Sequence, residues 1–453
     1  MSARSARHTP DAHFDNGRAG SALRAVRQLI TSTLAVIALA ASGSAALAAA
    51  GSTVFAGTAV AATATPIAVI APANVGLFGS GDPTYDGVYR QSLAIIGLVA
   101  TGHTPNAPAI NWLLSQQCAD GSFTAYRADP TKACTAASED ENSTALAIQA
   151  LTALGKPTAT AIAALKHFQL ADGGFYDNTA FGPAASDANS TGLAESAFVA
   201  AGIDPSTVTS TGGKTADDYL RSIQIACSAA SGPGAYDFQG EATLHANDYA
   251  SVQALLGELG KTLTVGVAAA GGSVPACPAT ITTAATSAAA ATSYLAARLA
   301  ASNGQIPSSL GSGIDWTTTA NAVLDLEAAG AGNASVAAAL TALETNVKAY
   351  VQPAGTFVPG PLATLLLVAH ASGIDPGAFG GADLTTSLAT TERVAVTPVV
   401  APAPAPTTTP TTTALPMTGA TDVRPIGSVA ALLVGLGIGA LAVSRRRTRA
   451  PRG

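Results

Sequence analysis

The residues best suited to chemistry are carboxylates placed where apolar segments begin. Glu139-Asp140-Glu141, Asp187, the pair His245 and Asp248, and Asp315 each stand at or just before such a start; Trp316 follows Asp315, and Asp82 and Asp86 precede the first segment. Carboxylates in that place have two uses. They cap the free N–H groups of a helix and oppose its dipole, or they gather at one mouth as a binding or catalytic rim. Other chemical sets fail on spacing. Cys118, Cys134, Cys227 and Cys277 have neither Cys-x-x-Cys spacing nor a histidine partner, and His103, His167 and His370 have no metal spacing between them, so no metal and no cofactor is expected. Neither a Ser-His-Asp elbow nor a phosphate-binding glycine loop is present, and no catalytic set is assigned.

The elements that must position these residues form a repeat. Six 14-residue segments align, each ending in glycine: Tyr89–Gly102, Asn142–Gly155, Asn189–Gly202, Asn247–Gly260, Thr317–Gly330 and Gly360–Gly373. Their fourth position is always small: Ser92, Ala145, Gly192, Ala250, Ala320, Ala363. Polar starts suit an N-cap and the final glycine suits C′, so each segment is expected to be a helix. Being apolar on nearly every face, these helices are expected to form an inner layer. A second helix follows each glycine: Ala107–Gln117, Ala159–Gln169, Ala216–Gln224, Ala285–Ala301, Ala334–Tyr350 and a weaker one within 382–394.

Several second helices end in one signature. It reads Trp112-Leu113-x3-Gln117-x3-Gly121-Ser122-Phe123, then Leu165-x3-Gln169-x3-Gly173-Gly174-Phe175, then Tyr219-Leu220-x3-Gln224 with a longer loop to Tyr236. The signature resembles the QW motif of the prenyltransferase and squalene-cyclase repeat. The resemblance covers roughly residues 81–394 and implies an all-α fold, an α/α toroid of about six helical hairpins. In such a toroid the inner helices run parallel, which would bring Glu139, Asp140, Glu141, Asp187, His245, Asp248, Asp315 and Trp316 to one cavity mouth. The enzymes of that family do not carry over. Where class II cyclases have Asp-x-Asp-Asp, this chain has Glu139-Asp140-Glu141-Asn142, Ser186-Asp187-Ala188-Asn189 and His245-Ala246-Asn247-Asp248. The inner segments offer only Tyr89, Phe198 and Tyr249 as aromatics, and Asp187-x-Asn189 lacks the thiolate of the zinc prenyltransferases.

The two ends read as addresses. Residues 1–48 resemble a secretory signal peptide, ending near Ala46-Leu47-Ala48, and 49–80 are an Ala-rich lead-in. Residues 395–414 are a Pro/Thr-rich stalk, expected to be disordered. Leu415-Pro416-Met417-Thr418-Gly419 matches the LPxTG sorting signal of Gram-positive surface proteins, followed by an expected transmembrane helix over 426–443 and a basic cytoplasmic tail over 444–453. That order implies that a sortase joins Thr418 to peptidoglycan. Four cysteines in an exported chain imply two disulfides, with Cys118–Cys134 and Cys227–Cys277 the pairing chosen from three.

Composition limits the partners. The 453 residues carry a net charge of −6 and are only 11% charged and 5% aromatic. Residues 49–419 hold 11 Lys plus Arg against 25 Asp plus Glu, a net −14, which argues against nucleic acid and other anions and favours cationic or neutral partners. The expected function is a cell-wall-anchored surface protein whose toroid binds a small ligand or an extracellular partner without catalysis. A glycan-active hydrolase or lyase is the alternative, and a cyclase-like fold kept as a structural spacer the third.

Overall fold

The six glycine-ended segments are helices, and their ends explain their limits. They are α1 (Gly87–Ala100), α3 (Glu141–Ala153), α5 (Ala188–Ala200), α7 (Asp248–Glu258), α9 (Trp316–Ala328) and α12 (Pro359–Ala371). The closing glycines Gly102, Gly155, Gly202, Gly260, Gly330 and Gly373 all have φ between 61° and 79°. In each case the next residue's N–H reaches back to a carbonyl five residues earlier, from His103 to Leu98 through Ile374 to Ala369. This is the Schellman closure, which only a residue free to take positive φ completes cheaply.

The partner helices are α2 (Ala107–Ser115), α4 (Ala159–Leu165), α6 (Ala216–Ser222), α8 (Ala284–Ala301), α10 (Asn333–Thr345), α11 (Val347–Val351) and α13 (Leu384–Thr390). The single helix expected over Ala334–Tyr350 is thus two pieces, broken at Asn346. The structure, a computed structural model, describes residues 74–180, 182–267, 272–309 and 311–394. The fold is all-α: among the described residues extended pairing is confined to isolated bridges. No helix there is long and apolar enough to cross a membrane. The expected signal peptide, the 395–414 stalk, the sorting residues Leu415, Pro416, Thr418 and Gly419, and the 426–443 helix lie outside the described residues.

Packing among the six apolar helices runs in cyclic order. α1 packs on α3, α3 on α5, α5 on α7, α7 on α9, α9 on α12, and α12 on α1. α2, α4, α6, α8, α10 and α13 each pack on the apolar helix that precede them in the chain. The small fourth positions serve these contacts. Gly192 of α5 lies so close to α7 that a Cβ there would stand 2.2 Å from the Gln253 carbonyl oxygen. Gly97 of α1 likewise faces the Ala363 backbone of α12.

The QW-like signature is a clasp. The side-chain amides of Gln117, Gln169 and Gln224 each donate to a glycine carbonyl, of Gly121, Gly173 and Gly234, at 3.0 Å. The aromatic that follows is fully buried and ties its own N–H to the next apolar helix: Phe123 to Thr144 Oγ1, Phe175 to Thr191 Oγ1, Tyr236 to Ser251 Oγ. Each of those hydroxyls also donates to the N-cap carbonyl of its own helix. One polar side chain therefore joins helix start to clasp, satisfying groups that would be costly to bury unpaired.

The first and last described segments meet. Gly76 N–H donates to Arg393 O, Arg393 N–H to Leu77 O and Gly79 N–H to Thr391 O. Leu77 and Phe78 are buried, so the folded unit begins ahead of the expected boundary at 81. Disulfides join Cys118 to Cys134 and Cys227 to Cys277, which is compatible with an extracellular protein.

Candidate functional site

The N-terminal ends of α3, α5, α7 and α9 come together, and their caps explain several of the carboxylates. Asp140, Asp187 and Asp315 are N-caps, accepting from the backbone N–H of Ser143, Ser190 and Thr318 at 2.7, 2.8 and 2.9 Å. Asn247 does the same for α7, from Ala250 N–H at 3.0 Å. These groups satisfy orphan amides first.

Two residues past each cap, a side chain projects toward the neighbouring helix. Asn142, Asn189, Tyr249 and Thr317 occupy this same position in α3, α5, α7 and α9. Three of them form a directed chain of hydrogen bonds. The Tyr249 hydroxyl donates to Asn189 Oδ1 at 3.2 Å, Asn189 Nδ2 to Asn142 Oδ1 at 3.1 Å, and Asn142 Nδ2 to Asp177 Oδ1 at 3.0 Å. The fourth, Thr317, accepts from the Tyr350 hydroxyl at 3.1 Å. Tyr249 is 39% exposed and pairs with Phe238, ring centroids 6.5 Å apart.

Asp177 lies on the loop after the second clasp. Its carbonyl accepts the Glu141 N–H, and Asn178 Nδ2 bridges it to Asp140. Beneath this loop Glu141 is 0% exposed, and neither of its carboxylate oxygens has a hydrogen-bond partner. Burial, reinforced by Asp177, Asp187 and Asp140, pushes the Glu141 carboxyl well above the usual carboxylate range. Burial and the Asp140 and Asp187 charges push Asp177 up to about 9. Burial raises Asp187 to about 6 against the opposing bonds from Ser190. Tyr89 of α1 is raised to about 12, by burial and then by Asp140 and Glu141. Burial at its hydroxyl end, and then Tyr89, Asp187, Asp177 and Asp315, push the Tyr249 phenol well above its usual range. Among the described residues no Lys, Arg or His forms an ion pair with Asp140, Glu141, Asp177 or Asp187.

The remaining expected rim residues go elsewhere. Asp248, one position past the α7 cap, turns to α8, where Arg298 grips both its oxygens at 2.8 and 2.6 Å and Tyr294 donates at 2.5 Å. His245 is exposed in the loop before α7, with its backbone N–H on Asp237. Glu139 pairs in the bridge to Thr124, and its carboxyl is raised by burial and then by Asp120 rather than by the cluster. Trp316 opens α9, half-buried against the core. Asp177, Asn142, Asn189 and Tyr350 were not among the expected site residues. The signal for the two asparagines and for Tyr249 was their shared register after each cap. Asp177 has none, because its place depends on the path of a loop.

The opposite, C-terminal ends are crossed by the segment after α7. Leu263 N–H donates to Gln149 of α3, and the segment borders a recess of 530 Å3 lined by Val199, Lys261, Val265 and Glu327 among others. No group of three or more His, Cys, Asp or Glu among the described residues is arranged to hold a metal ion.

The class defined by these features is an all-α, disulfide-bonded repeat protein with a carboxyl-rich polar cluster at its helix starts. No known protein-family profile matches the chain, and no curated protein does. Among solved structures it is similar to a protein from Actinoplanes at 16% identity and a TM-score of 0.37, over 59% of this chain and 73% of that one.

Proposed function

We propose that the chain is a surface protein, anchored to the cell wall through Thr418, that displays an α/α toroid on a Pro/Thr stalk and binds a small ligand or extracellular partner at the toroid mouth. The cyclic packing order of α1, α3, α5, α7, α9 and α12 supports the toroid reading. The two disulfides and the LPMTG segment with its basic tail support export and anchoring. The observation that carries the binding reading is the mouth itself: a buried, unpartnered Glu141 beneath a side-chain chain that ends on the accessible Tyr249. Buried polar groups without partners are rare, and this one lies in a carboxyl cluster that no Lys, Arg or His pairs with among the described residues. Glycan turnover is less well served. A general acid must come within hydrogen-bond reach of the scissile bond, whereas Glu141 is wholly covered and Asp187 is committed to its cap.

Two experiments test this. Thr418→Ala should move the full chain from the wall fraction to membrane or medium; retention in the wall would refute sortase anchoring. A thermal-shift panel of organic cations, neutral sugars and anions on the full chain should yield a compound that raises the melting temperature of the native protein but not of Tyr249→Leu. If every active compound shifts both proteins equally, the mouth is not the site.

A further inference from the structure

Three carboxyl clusters in the described residues differ in how they are balanced. Asp248 has Arg298. Glu195 and Glu258 lie within reach of the charge of Arg221, which pairs with Asp217 and Asp218. Asp140, Glu141, Asp177 and Asp187 have no ion-pair partner among the described residues, although Glu141 and Asp187 are almost wholly buried and neither carboxylate oxygen of Glu141 has a hydrogen bond. Around them stand aromatic side chains from separate elements: Tyr89 of α1, the Phe238–Tyr249 pair, and Tyr350, bonded to Thr317.

We propose that the mouth is a seat for an organic ammonium cation, which lies among Tyr89, Phe238 and Tyr249 and is neutralised by the carboxyl groups of Asp140, Glu141, Asp177 and Asp187. The inference rests on reading the mouth as a ligand site and names the ligand class for it.

The donor set selects among cations. Calcium takes six to eight oxygens at about 2.3–2.6 Å. Here the Asp187 oxygens are held by Ser190 and one Asp140 oxygen by Ser143, and no metal-holding group is formed. An ammonium needs no inner-shell oxygens. It is attracted to aromatic faces and to carboxylates through space, so a covered carboxyl such as Glu141 still acts on it. A neutral sugar draws on a carboxyl only through direct hydrogen bonds, so the covered Glu141 contributes nothing to it.

Protons compete with the cation for these carboxyl groups. Asp187, facing Ser190, Tyr219 and Tyr249, is raised to about 6, and Asp177, facing Asp140, Asp187, Asn142 and Asn178, to about 9. An arriving cation favours the ionised carboxylates, so binding releases protons and tightens as pH rises between these values.

The test is calorimetric titration of the full chain with choline chloride, with its neutral carbon isostere 3,3-dimethyl-1-butanol, and with calcium chloride. Choline should bind saturably, at least threefold more tightly at pH 8.5 than at pH 5.5. At pH 7.5 its heat should vary with the ionisation enthalpy of the buffer, as proton release requires. The isostere should bind at least tenfold more weakly, and Tyr249→Leu should weaken choline at least fivefold without losing its cooperative melt. Equal affinity for choline and the isostere, binding of calcium in preference to choline, or no choline binding overturns the inference. If choline fails while a compound from the thermal-shift panel still depends on Tyr249, the ligand class falls and the site stands; if no compound depends on Tyr249, both fall.

Discussion

Asp187 shows how one residue serves two scales of structure. Its side chain caps α5 through Ser190 N–H and Oγ, its backbone carbonyl accepts from Thr191, and its N–H binds the clasp at Phe175. Asp187→Ala should cost about 1–2 kcal/mol, the usual loss of a cap, and Asp187→Asn clearly less, because asparagine caps equally well. Urea denaturation of the full chain measures both, and equal stability of the alanine variant would remove the capping role. Such caps were legible in the sequence, because Asp140, Asp187 and Asp315 stand just ahead of recurring apolar segments. Asp248 was not, since it sits one residue beyond Asn247, which takes the cap; a helix turns about 100° per residue, and that single step delivers it to Arg298. Asp177 was illegible for a different reason: a loop carboxyl has no periodicity, and only packing over α3 gives it neighbours.

Helix pairs set the next scale, and the α5–α7 contact is the most exacting. Gly192→Ala would normally stabilise a helix by up to about 1 kcal/mol. Here the new Cβ would meet Gln253 O at 2.2 Å and the Ala254 Cα at 2.6 Å. Overpacking of this kind costs about 1–3 kcal/mol, so a net loss is expected in thermal melts, and a gain would mean that the two helices separate freely. The same pair buries Glu195 and Glu258 against Asp217 and Arg221 of α6. Burial, and then Asp217, raise Glu195 to about 8, while Arg221 opposes the rise. A carboxyl raised in the folded state contributes stability that is complete below its unfolded value near 4.5 and is lost as pH climbs toward 8. Glu195→Gln should therefore flatten the fall in stability between pH 5 and 8, seen as melting temperatures less dependent on pH than the native protein's. An unchanged slope would show that Glu195 is ionised without cost. The small fourth position, Gly192 included, was visible in the sequence; it carried no hint that buried acids would share the interface, because a glutamate in an apolar run reads as an exposed face until a partner helix covers it.

For the folded unit as a whole, repetition made the six hairpin starts readable, and the clasp ties the first three hairpins each to the next. What joins the last to the first was not readable. The pairing of residues 76–79 with 391–393 spans over 300 residues and uses backbone groups, which leave no mark on side-chain pattern. The long interval between α7 and α9 is the other irregularity. It carries the segment that crosses the C-terminal ends, held at one point by Leu263 on Gln149 and at another by Cys277 on Cys227. Closing a separation of 50 residues removes unfolded-chain entropy worth about 4 kcal/mol, against about 3 kcal/mol for the separation of 16 at Cys118–Cys134. Replacing Cys227 and Cys277 together by serine should therefore destabilise the chain more than the same change at Cys118 and Cys134. The two double variants should also differ in where they loosen. Without Cys227–Cys277, the Leu263 amide should exchange its hydrogen faster while the amides of α3 keep their protection, because only the crossing segment has lost its tether. Equal loosening of α3 in hydrogen exchange would mean that the segment is part of the core it covers, and that the C-terminal ends of these helices depend on it for their packing.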